Sequence, residues 1–405
     1  MELDSILTDL AKQGLFNGQV LLSENGTITF QGAYGNFHEQ PINENTPLPI
    51  ASIDKTMTAA GIMLLEQEGL LSYEDKISQF VPQIPYKDVT VEQILNQTSG
   101  IPNFLATAMK YGDTTQIMDA GDILDLVSEV KPEGGVPGDE FHYNNSNYFL
   151  AQQIIEQVTG MRYADYMRDK MFTSFHMNQS KLLSPVQVKS VNVDNFYQPG
   201  EGIESTVHDL FQFSLSYQDD QVISSENRQR AFSKPVLKDG KASSYGLGWY
   251  ILENEDGKSV GHWGGGESVK AYLELYLDQE KSLTMLTVNC TPYMDKVYAM
   301  IRDIWEGRGY EVPQKVQAYN IDPALFSDYV GSYLLPQMGL LHISSENGKL
   351  FLRPDPIPGK EELVPLSDST FMFANQDLRW QFYKENGQTV GFGFVGQRHN
   401  MGPKQ

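Results

Sequence analysis

The sequence predicts an α+β fold over its first 309 residues, followed by a small all-β barrel. Three observations support this prediction. Strand-prone segments cluster near both ends of the first 309 residues, whereas apolar patterns with helical periodicity fill the stretch between them. After Gly309 the chain changes to short β-prone runs separated by turn residues.

The chain opens with an amphipathic pattern that predicts a short helix over residues 3–13. Next, "NGQVLLSENGTITFQGAYG" contains two β-prone runs around Asn25-Gly26, and an Asn-Gly pair between such runs is a strong signal for a hairpin. The segment "DKTMTAAGIMLLEQEG" predicts a helix that stops at Gly69.

The clearest helix of the middle region is "YFLAQQIIEQVTG", residues 148–160. Two late hairpins are predicted over residues 245–264 and 271–289, and a closing helix over 294–307. The simplest assembly is one antiparallel sheet made from the early and late hairpins. The terminal helices would cover one face of this sheet, and the helical middle would form a separate lobe.

The predicted domain organisation has three parts. Residues 1–309 form the α+β domain, residues 310–322 form a linker, and residues 323–405 form a barrel or sandwich of small strands. The last part contains two further Asn-Gly turns.

Composition limits the possible partners and compartments. The formal net charge of -22 argues against nucleic acid or an anionic membrane as the main partner. The single cysteine, Cys290, excludes an intrachain disulfide and is expected to be a small core residue. No run reaches the roughly 18 apolar residues of a membrane span, and the first residues do not form a secretory signal. We therefore expect a cytoplasmic protein, or an extracytoplasmic one if a signal was removed.

The first candidate site is the stretch "PIASIDKTMTAAG", in which Ser52 precedes Lys55 by three residues. Residues i and i+3 of a helix share a face, so the hydroxyl and the amine would be neighbours. A serine is a weak nucleophile until a base takes its proton, and a buried lysine can be that base. The alternative is structural: Ser52 caps the helix and Lys55 is solvated.

Two more stretches could complete such a site. In "PGDEFHYNNSNYF", Tyr143 could share a proton with Lys55, and Asn145 could hold the lysine or a substrate carbonyl. The structural alternative makes Asn145 or Ser146 a helix cap and Tyr143 a core residue.

In "VGHWGGGES", His262 could bond Tyr143 or a substrate oxygen. The glycines that follow could bring backbone N–H groups close to a ligand. Here the alternative is a hydrogen-bonded strand histidine beside a glycine-rich turn. The sequence contains no nucleophile elbow, phosphate-binding loop or zinc motif, so it does not indicate any of the reactions that depend on them. We therefore expect neither a cofactor nor a metal.

In their order and context, these three motifs resemble those of the serine β-lactamase and penicillin-binding-protein superfamily, in its class C-like, D-peptidase and esterase branch. The segments "VTVEQILNQTSGIPNF", "GIESTVHDLFQF" and "YGLGW" are also similar to family segments. The resemblance covers residues 1 to about 307 and implies a β-lactamase/transpeptidase-like fold. Residues 325–405 resemble the small lipocalin-like barrel of some members.

The resemblance implies a role for each motif residue. Ser52 would be the acyl-accepting nucleophile, and Lys55 with Tyr143 would form the acid/base pair, with the identity of the base left open. Asn145 would position the lysine and the substrate amide. His262 would stand where lactamases carry a lysine.

The same resemblance places the oxyanion donors at the backbone N–H groups of Ser52 and Gly265, with Gly264 beside them. Trp263 departs from the family pattern, since small residues are usual there, and it should narrow the pocket. "NQTSG" also replaces the common Thr-His before Thr98, and "GGESVKAY" lacks the usual Pro-Gly turn.

The expected function is that of a serine hydrolase with an acyl-enzyme, acting on D-amino-acid peptides or amides or on small esters. One alternative is a β-lactamase or a penicillin-binding protein with slow turnover. An alternative of another class is a non-catalytic protein whose barrel binds an apolar ligand. The expected partners are small molecules or short peptides, β-lactams among them, and a homo-oligomer is possible.

Overall fold

The computed structural model describes residues 2–104, 120–129, 136–183, 202–218, 222–254, 257–266, 268–288, 291–336, 338–355, 359–373 and 378–405. The chain divides into two compact units: one is Asn17–Asn289, and the other is Met1–Phe16 together with Cys290–Gln405. Cys290 lies outside the described residues. The domain boundaries given above remain a prediction.

The unit Asn17–Asn289 contains a large antiparallel sheet and two small ones. Their strands are β1 (Gly18–Glu24), β2 (Thr27–Tyr34), β3 (Asn36–Phe37), β4 (Gln40–Pro41), β5 (Leu48–Pro49), β6 (Lys181–Leu182), β7 (Ile203–Ser205), β8 (Tyr250–Asn254), β9 (Gly257–Gly265), β10 (Val269–Tyr276) and β11 (Lys281–Val288). The large sheet has the order β2-β1-β11-β10-β9-β8, while β5, β7 and β6 form a small sheet.

The large sheet joins the early and late hairpins, as the sequence predicts. Strand β1 pairs with β2 on one side and with β11 on the other, with Val20 opposite Met285. Asn25 and Gly26 between β1 and β2 have φ values of 50° and 68°. A two-residue hairpin turn of type I′ requires positive φ at both central positions, so the Asn-Gly prediction is confirmed. Residues 255–256, within the hairpin predicted over residues 245–264, lie outside the described residues.

Helices occupy the middle of the chain and its ends. They are α1 (Glu2–Lys12), α2 (Asp54–Gln67), α3 (Val91–Leu95), α4 (Ala120–Glu129), α5 (Asn145–Thr159), α6 (Tyr163–Tyr166), α7 (Val207–Leu215), α8 (Ser225–Ala231), α9 (Met294–Trp305) and α10 (Phe326–Tyr329). Short 3₁₀ turns include Ala51–Ile53 and Ile77–Gln79, and Met167–Phe172 is a π-helix. None of the helices in the described ranges has both the length and the apolar character that crossing a bilayer requires.

Helix α2 is the centre of the helical packing, because its residues from Asp54 to Met63 are all buried. It packs against α5. Both helices are followed by a glycine in the left-handed region, Gly69 with φ 70° and Gly160 with φ 67°. Glycine takes this conformation without a Cβ penalty, so both predicted helix stops are confirmed.

The C-terminal strands form a nearly closed antiparallel barrel. They are β12 (Gly331–Leu335), β13 (Gly339–Glu346), β14 (Lys349–Pro354), β15 (Glu361–Pro365), β16 (Thr370–Phe373), β17 (Arg379–Glu385), β18 (Gln388–Phe394) and β19 (Gly402–Pro403), paired in chain order. A bridge between Tyr333 and Lys404 brings the two ends of the sheet together, and Gln405 N donates to Ser332 O at 2.9 Å. This confirms an all-β barrel as the second part of the predicted fold.

Buried aromatic side chains fill the barrel interior. Trp380 stacks on Phe392 with ring centroids 5.0 Å apart, and Tyr329 stacks on Phe382. Phe371 and Tyr333 are also fully buried in this cluster. Close-packed aromatic rings contribute to the stability of a small core.

Candidate active site

Ser52 lies in a tight turn between the small sheet and α2. Strand β5 leads into Ile50, whose N–H donates to Ile203 O at 3.1 Å. Ala51 then adopts a φ of 46°, and Ser52 sits in the 3₁₀ turn Ala51–Ile53 rather than in the first turn of the α-helix. A non-glycine residue in the left-handed region costs about 1–3 kcal/mol and is typical of functional sites, where the surrounding structure enforces it.

In the structure, the Lys55 amine contacts the Ser52 hydroxyl. Lys55 Nζ donates to Ser52 Oγ at 3.3 Å, and the lysine side chain is only 3% exposed. The spacing of three residues turns both side chains to the same side, as predicted. The structural alternative of a solvated Lys55 is therefore wrong.

Tyr143 lies beside Lys55, although it belongs to a distant segment of the chain. Its half-buried ring lies with its centroid 5.5 Å from Lys55 Nζ, and the ring of Tyr148 lies 5.8 Å from the same atom. The structure thus gathers a hydroxyl, an amine and a phenol. Their catalytic roles remain predictions.

Gln97 fixes the loop that contains Tyr143. Its side-chain Oε1 accepts from Asn144 N at 3.0 Å and from Asn147 Nδ2 at 2.6 Å, and its backbone carbonyl accepts from His142 N at 2.9 Å. Gln97 is fully buried. In the sequence, "NQTSG" is a departure within a segment that is otherwise similar to the family, and it indicated no role for Gln97.

Asn145 is the first residue of α5 and is half-buried. The helix cap is Asn144, whose side chain accepts from Ser146 N at 2.8 Å. The structural alternative that made Asn145 or Ser146 the cap is therefore wrong. Because Asn144 satisfies the end of the helix, the Asn145 amide is not needed there, and its role in holding substrate remains a prediction.

His262 is fully buried on β9 and is held from both sides. Its Nδ1 lies 3.0 Å from Trp263 O, and its Nε2 lies 3.0 Å from Tyr245 Oη. Burial, and then the charge of Lys55, lower the pKa of His262 to about 3. A neutral imidazole donates from Nδ1 to the carbonyl and accepts from the Tyr245 hydroxyl at Nε2. Tyr245 lies in "YGLGW", a segment quoted only for its family likeness.

Gly264 allows β9 to lie directly against the nucleophile turn. A Cβ atom at this position would lie 2.6 Å from Ile50 O and 2.8 Å from both Ala51 Cβ and Ser52 N. Only glycine permits this approach. Gly265 follows at the exposed end of the strand, opposite Lys270 of β10. Strand β9 therefore lies beside the Ser52 N–H, and the oxyanion hole with Gly265 remains a prediction.

Trp263 forms an aromatic wall with two tyrosines. Its half-buried ring lies 5.1 Å from the ring of Tyr250, which stacks on Tyr143 at 6.4 Å with an interplanar angle of 13°. The ring of Tyr250 thus links the indole of Trp263 to the ring of Tyr143. Tyr250 directly follows "YGLGW", but it was missed because that segment was quoted only for its family likeness.

The buried histidine makes a prediction about acid stability. Because the pKa of His262 is about 3 in the folded state and about 6.5 when unfolded, the unfolded chain binds more protons between these pH values. Because the unfolded state takes up a proton at His262, the free energy of unfolding falls as pH drops below about 6.5, by about 2 kcal/mol at pH 5.

Urea unfolding of the wild type and of His262→Gln at pH 7 and pH 5 measures this contribution. We expect the variant to be less stable at pH 7 and to lose less stability than the wild type between the two pH values. An equal loss in both proteins would contradict a neutral, buried His262.

The chain is similar in sequence to known proteins. A sequence model of the Beta-lactamase family matches residues 3–299. The chain is 31% identical to Penicillin-binding protein 4* of Bacillus subtilis over 94% of this chain and 93% of that protein.

Two solved structures show similar folds. The octameric penicillin-binding protein homologue from Pyrococcus abyssi has a TM-score of 0.62 and 20% identity, and covers 98% of both chains. The D-amino acid amidase from Ochrobactrum anthropi SV3 has a TM-score of 0.60 and 19% identity, over 75% of this chain and 99% of that one. The family match over most of the chain and the full-length relative show that this protein belongs to the β-lactamase family of serine hydrolases.

Proposed function

We propose that Ser52 forms an acyl-enzyme with peptides or amides of D-amino acids or with small esters. The observation that supports this most directly is the contact of Lys55 Nζ with Ser52 Oγ at 3.3 Å, beneath the ring of Tyr143. A nucleophile next to a proton-transfer group is the arrangement that covalent acyl transfer requires. The D-amino acid amidase among the structural neighbours supports the substrate class.

The proposed reaction has two halves. Ser52 Oγ attacks the carbonyl carbon, and the Lys55/Tyr143 pair takes the serine proton and passes it to the leaving amine or alcohol. The developing oxyanion accepts from the backbone N–H groups of Ser52 and Gly265. Water then attacks the acyl carbon while the same pair takes a proton from that water. The bond between the acyl carbon and Ser52 Oγ breaks, the pair returns the proton to Ser52, and the acid product leaves. Neither half needs a metal ion or an organic cofactor.

Mass spectrometry after exposure to a fluorophosphonate tests the proposal. We expect one adduct, on the peptide that contains Ser52. An adduct on another serine, or none on folded protein, would overturn the assignment. A panel of D- and L-aminoacyl amides, esters and lactams would then define the substrate class.

The alternative functions would differ in their rates of acylation and of acyl-enzyme hydrolysis. Rapid opening of a lactam ring would favour a β-lactamase, and rapid acylation without release would favour a penicillin-binding protein. The contact between Lys55 Nζ and Ser52 Oγ supports the hydrolase over a non-catalytic binding protein. A homo-oligomer is supported only by the octamer of the Pyrococcus abyssi homologue.

Trp263 is proposed to limit the size of the substrate. We expect Trp263→Ser to increase kcat/KM for bulky acyl esters relative to acetyl esters by about tenfold, because the indole no longer fills the pocket wall. Steady-state kinetics on a series of nitrophenyl esters measures the ratio.

Tyr250→Phe is the matched control for Trp263→Ser, since it retains the ring that packs against the indole. Its ester selectivity should equal that of the wild type. Unchanged selectivity in Trp263→Ser would contradict a role for the indole in the pocket.

A further inference from the structure

One buried glutamine binds both chain neighbours of Tyr143 and has no part in the mechanism given so far. The backbone carbonyl of Gln97 accepts from the N–H of His142 at 2.9 Å, and its side-chain Oε1 accepts from the N–H of Asn144 at 3.0 Å. Gln97 is fully buried. The residues before and after Tyr143 are thus bound to a single residue of another segment.

The Gln97 side chain is fixed in turn by α5. Asn147 Nδ2 on this helix donates to the same Oε1 at 2.6 Å, and Ser99 Oγ donates to Asn147 Oδ1 at 2.5 Å. All three side chains are buried, and a connected network of buried hydrogen bonds makes its members rigid. The position of Oε1, and with it the backbone at Asn144, is therefore set by the helix.

The backbone of Gln97 adopts a conformation that glutamine seldom takes. Its φ is 63°, in the left-handed region that glycine and asparagine enter more readily. Non-glycine residues in this region cluster at functional sites, where the surrounding structure enforces them. In this conformation, the carbonyl and the side chain of one residue both reach the Tyr143 loop.

The Tyr143 ring also packs against other rings, at 6.4 Å from the centroid of Tyr250 and 6.2 Å from that of Tyr245. Aromatic pairs tolerate centroid distances of roughly 4.5–7 Å. A catalytic group must be held to within about 0.5 Å. Ring packing alone is therefore too permissive, whereas hydrogen bonds on both sides of residue 143 fix the backbone from which the phenol extends.

We propose that Gln97 is a positioning residue, which holds the Tyr143 side chain beside Lys55 and Ser52. The proposal rests on the proposed function of Ser52 and requires no particular charge state of the tyrosine. It makes the reaction rate depend on a residue outside the three motifs.

A matched pair of variants separates the acceptor oxygen of Gln97 from its bulk. Gln97→Met keeps the length of the side chain but removes the oxygen that binds Asn144. Gln97→Glu keeps an oxygen at this position. Within the described ranges, Gln97 Nε2 has no hydrogen-bond partner, so exchanging it for oxygen breaks no bond there.

The first test measures how fast a fluorophosphonate modifies Ser52. Since a misplacement of about 1 Å costs about 100-fold in rate, we expect Gln97→Met to lower the maximal rate by about that factor. The reagent concentration that gives half the maximal rate should stay near the wild-type value. Gln97→Glu should restore most of the rate.

A wild-type rate in Gln97→Met, or an equal loss in Gln97→Glu, would overturn the proposal. If Gln97→Met does not fold, Gln97→Asn replaces it, because a side chain shorter by one methylene group withdraws the amide oxygen from Asn144 N. The same loss of rate is then expected, and a wild-type rate would again overturn the proposal.

The second test asks whether Gln97 acts through Tyr143. Tyr143→Phe removes the hydroxyl and keeps the ring. We expect the double variant Gln97→Met/Tyr143→Phe to react about as slowly as Tyr143→Phe alone, because an absent hydroxyl cannot be misplaced. Losses that multiply in the double variant, or wild-type reactivity of Tyr143→Phe, would overturn the proposal.

The third test observes the ring and does not depend on Ser52. With fluorotyrosine in the full chain and Tyr143→Phe to assign the signal, we expect Gln97→Met to shift the ¹⁹F resonance of Tyr143. Gln97→Glu should leave it near the wild-type position, and an unchanged resonance in Gln97→Met would overturn the proposal. Absence of a Ser52 adduct in the wild type would end the proposed function separately, and this resonance would still decide whether Gln97 positions the ring.

Gln19→Met is the matched control, because Gln19 is another fully buried glutamine that binds backbone groups in the same unit. Its Nε2 donates to Asn43 O at 2.6 Å and to Thr46 O at 2.9 Å, and its Oε1 accepts from Val207 N at 3.2 Å. It should lose stability and keep both the modification rate and the Tyr143 resonance. An equal loss of rate in Gln19→Met would indicate a general effect of packing and would overturn the proposal.

Discussion

Replacing Ser52 with alanine is expected to abolish turnover of esters and amides, with kcat falling by roughly 10⁴-fold or more. The reason is that no acyl-enzyme can form without the Oγ that contacts Lys55 Nζ at 3.3 Å. The loss of one half-buried hydroxyl should change the free energy of unfolding by only about 1 kcal/mol. Steady-state kinetics with nitrophenyl esters and thermal unfolding measure the two effects.

Ser225→Ala is the control, since Ser225 is exposed on α8 and follows the residue that caps that helix. It should retain full activity and the fluorophosphonate adduct. Retention of turnover in Ser52→Ala would place the nucleophile elsewhere and remove the basis of the proposed function.

Replacing Gly264 with alanine is expected to be the most damaging small change in the site. The added methyl would lie 2.6 Å from Ile50 O and 2.8 Å from Ser52 N, so β9 and the nucleophile turn must move apart. We expect a loss of stability of about 1–3 kcal/mol from overpacking. A displacement of about 1 Å at the nucleophile should lower kcat/KM by about 100-fold.

Gly266→Ala tests whether the effect is local. Apart from its chain neighbours, no heavy atom of the described residues lies within 4 Å of a Cβ at that position, so the methyl should be accommodated with normal activity and stability. Equal activity of the two variants would show that the contact between β9 and the Ser52 turn does not support catalysis.

Features that depend on neighbours in the sequence were predictable. The Asn25-Gly26 turn, the glycine stops after α2 and α5, and the shared side of Ser52 and Lys55 involve residues at most a few positions apart. Their geometry follows from backbone sterics and helical spacing, which do not depend on the rest of the fold.

The antiparallel sheet of early and late strands was also predictable, although β1 and β11 are far apart in sequence. Alternating apolar patterns limited the possible assemblies to a few. The exact start of α2 was not predictable, because the strained Ala51 and the 3₁₀ turn depend on the small sheet before them and on β9 beside them.

By itself, the sequence determined the α+β fold class, the early and late hairpins, the glycine stops of two helices, the all-β character of the C-terminal region and the three candidate motifs. Only the tertiary structure decided that His262 bonds Tyr245, that Gln97 fixes the Tyr143 loop and that Asp54 is buried against Lys55. These contacts could not be predicted because they join residues that are far apart in the chain and because they depend on the surroundings of each side chain. Local spacing sets which side chains face the same way, whereas burial and partners arise only when segments far apart in sequence pack together.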